Sequence, residues 1–255
     1  MNGIVKLVAL IGVAVAILKS TSNNKTKDVK YVVRYFDIKG RAEAIRLCLS
    51  DIGAEWEDDA FTREKWRGGG LKQRLMEEGV LPFGQVPLVE RVGGSENPHS
   101  MVQSHAILRW IGRYHDTYGV FGESNSLVDL VSDGTEDVRK RLMKAVYAPE
   151  EEKKEKMEAY FSDDAPVWLA YFERIAENPC KSLKSSIENP WIACTKIPTM
   201  ADYLLYDLLD AHEERGDQDR TRAILKTSEN LNRWRHRMSN RENIKKYLES
   251  DKRRK

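Results

Sequence analysis

Tyr35 and Arg41 are two side chains whose types and spacing suit chemistry on an anion. Residues 29–36 are rich in β-branched and aromatic residues, a composition typical of a β-strand. Gly40 interrupts that run, and the apolar spacing from Arg41 onward predicts a helix that stops near Gly53. Such a junction places the Tyr35 hydroxyl near exposed amide N–H groups and the positive end of the helix dipole. A packed tyrosine in a ligand-free strand–helix unit is the alternative interpretation.

Two later stretches present polar groups that suit an extended, anionic peptide. Gln103 and Ser104 stand at the start of a predicted helix, where a side-chain amide, a hydroxyl and free N–H groups can bind a carboxylate. The alternative is that this pair is an ordinary helix cap. At Val86-Pro87, a cis peptide bond would turn the Val86 backbone outward, so that it could pair with a bound peptide as an added strand.

The elements predicted around these stretches follow the order of a thioredoxin-like domain, β-α-β and then a β-hairpin and a helix. Three successive glycines, Gly68 to Gly70, do not suit a helix, so residues 66–72 are predicted to be a loop. Gly93-Gly94 predicts the turn of the hairpin. The other predicted elements are a strand at 56–61, an apolar strand pattern at 81–90 with a turn at Pro87, a strand at 100–102 and a helix from Gln103.

Downstream of about Tyr118 the sequence shows helical periodicity and no convincing strand pattern. Thr199 and Asp202 have the spacing of a capping box, in which the side chain at the third helical position bonds back to the cap. We therefore predict a change of domain near residues 116–119. The predicted organisation is an N-terminal segment at 1–27, a thioredoxin-like domain at 28–116 and an all-helical domain at 117–255, with helical stretches at 127–147, 151–176, 199–211 and 231–248.

The composition of the 255 residues is that of a soluble globular body, with 41% hydrophobic and 32% charged residues. A formal net charge of +2 gives no reason to expect a nucleic-acid partner. The three cysteines, Cys48, Cys180 and Cys194, are too few and too widely spaced to predict a disulfide framework or a metal site. We therefore expect reduced cysteines that are not nucleophiles, no metal ion, and a body suited to a reducing compartment.

The N-terminal segment is unlike the rest of the chain. Residues 4–18 are apolar except for Lys6, and the uninterrupted run at 7–18 suits the core of a signal peptide better than a spanning helix, which needs about 20 residues. A short signal anchor that keeps the body in the cytoplasm is the alternative, because lysines follow the run. Asn24-Lys25-Thr26 is a glycosylation sequon. Secretion, membrane association through residues 4–18 and cleavage all stay open at this point.

Five blocks of the sequence, in one order, resemble the cytosolic glutathione transferases that use a tyrosine, nearest to the sigma and pi classes. The similarity covers about residues 29–250 and implies an α/β thioredoxin-like domain followed by an all-α domain. One departure is residues 193–196, where the family usually has Gly-Asp before the capping box. The five blocks are Tyr35-Phe36 with Gly40-Arg41-Ala42-Glu43, residues 82–87, Gln103-Ser104, residues 127–137, and Ala201-Asp202-Tyr203.

The resemblance implies a homodimeric transferase that uses glutathione as a co-substrate, needs no cofactor, and conjugates small hydrophobic electrophiles. Tyr35 and Arg41 would be catalytic, since the Tyr35 hydroxyl would donate a hydrogen bond to the glutathione sulfur. Tyr147 would line the electrophile pocket. The residues that would bind glutathione are Tyr35, Trp66, Lys72, Gln85, Val86, Pro87, Gln103, Ser104 and, reaching across the dimer, Asp137.

Several positions have a plainer interpretation. Lys72 and Asp137 could be solvated, and Tyr147 could be a packed aromatic residue. Phe83 matches the apolar residue that alpha-type chains insert into a partner subunit, or it is buried within its own domain. The basic run at 233–237 and the tail at 252–255 are expected to be a solvated helix face and a frayed end rather than a site for an anionic partner.

Three other functions compete with conjugation. A sigma-like chain would use the same thiolate to isomerise a prostaglandin endoperoxide. A catalytically silent relative would carry hydrophobic ligands or serve as a structural protein, although it would have no need of Tyr35, Arg41, Gln103 and Ser104. A thiol–disulfide oxidoreductase needs a cysteine at the strand–helix junction, where this sequence has Tyr35.

Overall fold

The computed structural model describes residues 29–94, 99–119 and 123–254. The N-terminal segment at 1–27, with its predicted targeting role and sequon, lies outside the described residues. Within the three described ranges, no helix is both long enough and apolar enough to cross a bilayer.

Among the described residues, a four-stranded mixed sheet has the strand order β2-β1-β3-β4. β1 (Val29–Phe36) pairs in parallel with β2 (Glu55–Phe61) and antiparallel with β3 (Leu88–Gly93), which pairs antiparallel with β4 (His99–Val102). Every second residue of β1 is buried, because successive side chains of a strand point to opposite faces. This order confirms the predicted thioredoxin-like arrangement.

Helices come before and after the β3–β4 hairpin in the sequence. A 3₁₀ turn, Gly40–Ala42, leads from β1 into α1 (Glu43–Asp51). Gly53 ends the helix with a φ of +68°, as the sequence predicted. After the hairpin, α4 (Ser104–Tyr114) starts directly at the Gln103-Ser104 pair.

The prediction of a continuous loop at 66–72 is wrong. Two short helices, α2 (Arg63–Arg67) and α3 (Leu71–Glu77), leave only the three glycines between them. The reason is tertiary packing, because Trp66 is buried and stacks on Phe61 with ring centroids 5.4 Å apart. The glycines interrupt the helical conformation as expected, but the buried apolar residues on either side of them pack against the sheet and stabilise two short helices.

The described residues downstream of α4 form helices and no strand, which confirms the all-α prediction for this part. The helix Gln218–Thr227 was not predicted, because its sequence is mostly polar and only Thr221 and Leu225 are buried. The proposed boundary between residues 116 and 117 falls in the connection that follows α4 and stays a prediction. The helices are α5 (Glu123–Val146), α6 (Glu150–Ala159), α7 (Ala165–Glu177), α8 (Met200–Ala211), α9 (Gln218–Thr227), α10 (Glu229–Ser239) and α11 (Glu242–Leu248), with π-helical turns at Tyr160–Asp164 and His212–Gly216.

α8 is the central helix of this second unit, and every one of its residues is buried. The predicted capping box is present, since the Thr199 N–H donates to Asp202 Oδ2 at 2.9 Å. The other oxygen of Asp202 accepts hydrogen bonds from the Ile192 N–H at 3.1 Å and from Trp234 Nε1 at 2.9 Å. One carboxylate therefore joins the start of α8 to the preceding loop and to α10.

Buried charges on α1 face the helical unit and are paired there. Asp51 accepts hydrogen bonds from the Tyr203 hydroxyl at 2.8 Å and from Arg241 Nε at 2.7 Å. Glu43 accepts one from the Tyr247 hydroxyl at 3.0 Å. Because Tyr203 lies on α8 and Tyr247 on α11, α1 is bound to helices distant from it in the sequence.

The basic tail differs from its prediction, and the basic run differs in part. Arg254 is not frayed, because its Nη1 donates to Asp37 at 2.8 Å and its Nε donates to Asp58 at 2.7 Å. Within the run, Arg233 and His236 are exposed as expected, but Arg235 is paired with Asp210 at 3.0 Å, and Arg237 lies 3.9 Å from the centre of the Trp191 ring. Three of the arginines are thus used for contacts within the chain.

The cysteine prediction is also wrong, because Cys180 and Cys194 form a disulfide bond. A tight turn brings Cys194 against the segment that follows α7, with the Cys194 N–H donating to the Trp191 carbonyl at 2.9 Å. Spacing along the sequence could not reveal this meeting of two loops. Cys48 is the remaining cysteine and is buried, and burial raises the pKa of its thiol well above the ordinary value, as an unreactive cysteine requires.

We expect alkylation of the denatured, unreduced protein to label one of its three cysteines, Cys48, and to label all three after reduction. The free energy of unfolding should fall by about 3 kcal/mol on reduction, because a cross-link over some 15 residues restricts the unfolded chain by about that amount. Mass spectrometry and urea denaturation with and without a reductant are the measurements. Three labels before reduction would show that the bond does not form.

Candidate functional site

A cavity of about 450 Å³ opens beside the end of β1, the start of α4 and α5. This first cavity brings together seven of the residues that the sequence selected, from four separate stretches of the chain. Its lining residues are Phe36, Arg41, Trp66, Gly84, Gln85, Val86, Pro87, Gln103, Ser104 and Glu136. The grouping is what a site for an extended polar ligand requires.

Backbone geometry at two of the selected positions is unusual. The Val86–Pro87 peptide bond is cis, the isomer on which the predicted pairing with a peptide depended. Gln103 has a φ of +70°, a conformation that costs a residue with a side chain about 1–3 kcal/mol and is found mainly at functional sites. Gln103 Nε2 donates to Gln85 Oε1 at 3.3 Å, so two predicted binding residues also contact each other.

Tyr35 is held at the end of β1 by the turn that follows. A Cβ atom added at Gly40 would lie 2.7 Å from Cε1 and 2.8 Å from the hydroxyl of Tyr35, so only glycine lets the turn approach the ring this closely. The Tyr35 oxygen accepts a hydrogen bond from the Arg41 N–H at 3.3 Å. The phenol is therefore nearly buried and fixed, while its own hydrogen atom stays available to an acceptor.

The Arg41 side chain is fixed by Glu136 on α5. Two parallel hydrogen bonds join the guanidinium to both carboxylate oxygens, at 2.9 and 3.1 Å. Burial alone would raise the pKa of Glu136, but the bonds and the charge of Arg41 outweigh it and hold that pKa below its ordinary value. His105 Nε2 lies 3.8 Å from the same carboxylate.

Glu136 was not among the predicted site residues, whereas its neighbour Asp137 was predicted to reach the ligand of a partner subunit, which stays a prediction. Asp137 is exposed on α5 and lines neither of the two cavities described here. A helical pattern could have found Glu136, because it stands four residues after Ser132 and three before Arg139, and both of these are buried. The partly buried face of α5 therefore includes Glu136 and leaves Asp137 in solvent.

Lys72 lies outside the first cavity, at its rim. The ammonium nitrogen is 6.0 Å from the centre of the Trp66 ring. It is also close to Gly84, where an added Cβ would be 3.5 Å from it. The Lys72 ammonium group thus lies near the opening of the first cavity and does not line it.

A second cavity of about 140 Å³ lies on the other side of Arg41 and contains Tyr35 and Tyr147. Arg41 lines both cavities, whereas Tyr35, the other residue predicted to be catalytic, lines only the second. Tyr147 is 61% exposed, and its hydroxyl accepts a hydrogen bond from Arg215 Nη1 at 2.8 Å. The residues that line the second cavity are Tyr35, Ile38, Lys39, Gly40, Arg41, Arg139, Met143, Tyr147, Asp207, Ala211, Glu214 and Arg215.

Comparison with known proteins agrees with this arrangement. A family model described as the C-terminal domain of glutathione S-transferase matches residues 136–251. Glutathione S-transferase P 1 of Xenopus laevis is 32% identical over 225 residues, which are 88% of this chain and 94% of that protein. The chain belongs to the glutathione S-transferase family.

Two further relatives of this family member are similar over most of their length. Glutathione S-transferase P 1 of Bufo bufo is 33% identical over 183 residues, 72% of this chain and 77% of that protein. The solved structure of the pi-class glutathione S-transferase of Onchocerca volvulus has a TM-score of 0.68 and 27% sequence identity, covering 86% of this chain and 92% of that one. The resemblance stated from the sequence is confirmed, and pi-class proteins are among the relatives.

If Glu136 fixes Arg41, replacing each by glutamine in this family member should reveal a coupling of about 1 kcal/mol in the free energy of unfolding. The pair makes two bonds at a largely buried carboxylate, whereas an exposed single-contact pair contributes roughly 0–0.5 kcal/mol. The measurement is a double-mutant cycle by urea denaturation. The exposed pair Arg141–Asp164, at 3.1 Å, is the matched control. A coupling no larger than the control's would mean that other contacts position Arg41.

Proposed function

We propose that the protein conjugates glutathione to electrophiles, with glutathione in the first cavity and the electrophile in the second. The meeting of the two cavities at Arg41, beside the Tyr35 hydroxyl, is the observation that carries this proposal. A nucleophile bound on one side would have its reactive atom next to a partner on the other side. Proximity of this kind is a large part of catalysis for reactions between two substrates.

Glutathione fits the first cavity by its chemistry. Ser104 and Gln103 stand at the N-terminus of α4, where free N–H groups and the helix dipole favour a carboxylate. The backbone at Val86 would pair with the central part of the tripeptide. Lys72 at the rim would reach the other terminal carboxylate. The sulfur atom would then lie towards Tyr35, between the two cavities.

The reaction requires the thiolate form of glutathione. A thiol with an ordinary pKa near 8.5 is mostly protonated at neutral pH. The Tyr35 oxygen already accepts the Arg41 N–H, so its hydroxyl hydrogen is free to donate to the sulfur, which would stabilise the negative charge. The thiolate forms a bond to the electrophilic carbon, and the electron pair leaves with the displaced group or is protonated after an addition.

Tyr35→Phe should lower turnover roughly ten- to a hundredfold near neutral pH. The change removes one hydrogen bond to a charged acceptor, roughly 1.5–3 kcal/mol, which corresponds to a rise of about 1–2 units in the pKa of the bound thiol. Greater nucleophilicity of the more basic sulfur offsets part of the loss. The measurements are the ultraviolet titration of bound thiolate and the conjugation rate with a general aryl halide.

Tyr171→Phe, at an exposed tyrosine of α7, is the matched control and should leave both quantities unchanged. Glutathione affinity should change little in Tyr35→Phe, because the other contacts of the tripeptide do not involve the phenol. An unshifted titration with full turnover would remove Tyr35 from the mechanism. Glutathione binding with no turnover in the unmodified protein would favour a silent ligand-binding protein.

The proposed active unit is a homodimer. Phe83 is 67% exposed, which rules out the alternative that it is buried within its own domain, and it lies in the loop before Gln85. An exposed phenylalanine next to a binding cavity is suited to insertion into a second copy of the chain. Asp137, exposed on α5, would then reach the ligand of the other subunit.

Phe83→Ser should convert the dimer into a monomer, because it removes the apolar group that would be buried between subunits. Sedimentation equilibrium at micromolar concentration is the measurement, and Val167→Ser, at another exposed apolar side chain, is the control. Asp137→Asn should weaken glutathione binding in the dimer and have no effect in the Phe83→Ser monomer. An unmodified protein that sediments as a monomer with full glutathione affinity would contradict the proposal.

A further inference from the structure

We propose that the second cavity selects electrophiles that carry a carboxylate on an apolar body, and that Arg215 binds this carboxylate. The inference rests on the proposed function, because it names the substrate class of the proposed electrophile site. The inference is based on the charged side chains that line the cavity, because the cations among them outnumber the carboxylates.

Four cationic side chains line the second cavity, and three of them are bound to carboxylates. Lys39 is paired with Glu214, and Arg139 is paired with Asp207. Arg41 is paired with Glu136. The two carboxylates that line this cavity, Asp207 and Glu214, are therefore already occupied by other cations.

Arg215 is the fourth cation; it forms no ion pair within 4.0 Å with a carboxylate of the described residues, although its charge acts at longer range on the Asp207 carboxylate. Its hydrogen bond to the Tyr147 hydroxyl uses one of the five N–H donors of the guanidinium. The remaining donors suit a carboxylate, which guanidinium binds with two parallel hydrogen bonds. With four cations and two carboxylates in its lining, the cavity presents an excess of positive charge to a ligand.

The backbone that carries Arg215 is fixed. Arg215 lies in the π-helical turn after α8, and Gly216 follows it in close contact with Phe161 and Leu142. A Cβ added at Gly216 would lie 2.8 Å from Phe161 Cζ, so this approach needs glycine. The guanidinium thus extends from a closely packed stretch of backbone, and its hydrogen bond to the Tyr147 hydroxyl orients its far end.

The rest of the cavity wall is suited to an apolar body. Ile38, Met143 and Ala211 line it, together with the ring of Tyr147. An aromatic or alkyl group would lie against these side chains with its reactive carbon towards Tyr35. A single carboxylate on the opposite side of that group would then meet Arg215.

Two aryl halides of similar shape, one anionic and one neutral, test the proposal: 4-chloro-3-nitrobenzoate and the corresponding benzamide. In both, the thiolate forms a carbon–sulfur bond and chloride leaves with the electron pair. Arg215→Gln should lower kcat/KM for the benzoate roughly tenfold or more, and for the benzamide less than about twofold. Ratios of variant to unmodified protein cancel the different intrinsic reactivities of the two compounds.

Arg222→Gln, at an exposed arginine of α9, is the control for loss of one positive charge and should leave both ratios near one. Tyr147→Phe should give a smaller loss, again selective for the benzoate, because it frees the guanidinium without removing it. Equal losses for the two compounds in Arg215→Gln would overturn the proposal and assign Arg215 a structural role. If that variant does not fold, Arg215→Met provides the same comparison, whereas Arg215→Lys keeps the charge and should give a smaller loss for the benzoate.

A binding measurement separates this inference from the proposed function. The glutathione conjugates of both compounds, made chemically, can be titrated calorimetrically without any turnover. The carboxylate conjugate should lose affinity roughly tenfold or more in Arg215→Gln, while the amide conjugate should not. Absence of turnover with this binding pattern would reject the transferase activity alone, and equal affinities in both proteins would reject the role of Arg215 alone.

Discussion

Arg46 is the buried charge on which the rest of the structure depends. Its side chain is fully buried, and removing an unpaired guanidinium from water would cost several kcal/mol. Its Nε donates to Asp58 at 3.1 Å, and its Nη1 donates to the carbonyls of Ile38 and Lys39 at 3.0 and 3.2 Å. Those carbonyls belong to the turn between β1 and α1. The need to pair one arginine therefore holds α1, β2 and the turn that carries the proposed catalytic groups in one arrangement.

The same interface is linked electrostatically to the second cavity. Burial, and then the charge of Asp207, raise the pKa of Glu43 to about 7, although Arg46 and the Tyr247 hydroxyl act in the opposite direction. Asp207 in turn lines the second cavity and is held by Arg139. The ionisation of Glu43 therefore depends on the charge of a carboxylate at the wall of the proposed electrophile site.

The sequence correctly predicted those features that depend only on residues close together in the chain. The composition of β1, the stop at Gly53 and the capping box at Thr199 each depend on a few neighbouring residues, and each appears in the structure. Prediction was wrong where two segments meet only through tertiary packing, as in the Cys180–Cys194 bond and the docked Arg254. The family resemblance supplied the grouping of the first cavity, since no local rule brings its four stretches together. Glu136 was missed because its role follows from the helical face it occupies and not from its residue type.

The docked Arg254 also bears on how the protein is made. Its partner Asp37 is separated from it by 217 positions, and Asp58 by 196. On the ribosome, the sheet is complete in sequence long before residue 254 has been synthesised. Asp37 and the Oδ2 atom of Asp58 therefore lack Arg254 as a partner while the helical unit is still emerging, although Arg46 already pairs with Asp58 Oδ1. The thioredoxin-like unit can collapse early, but it reaches its final set of ion pairs only when the last described helix, α11, and the segment after it have arrived.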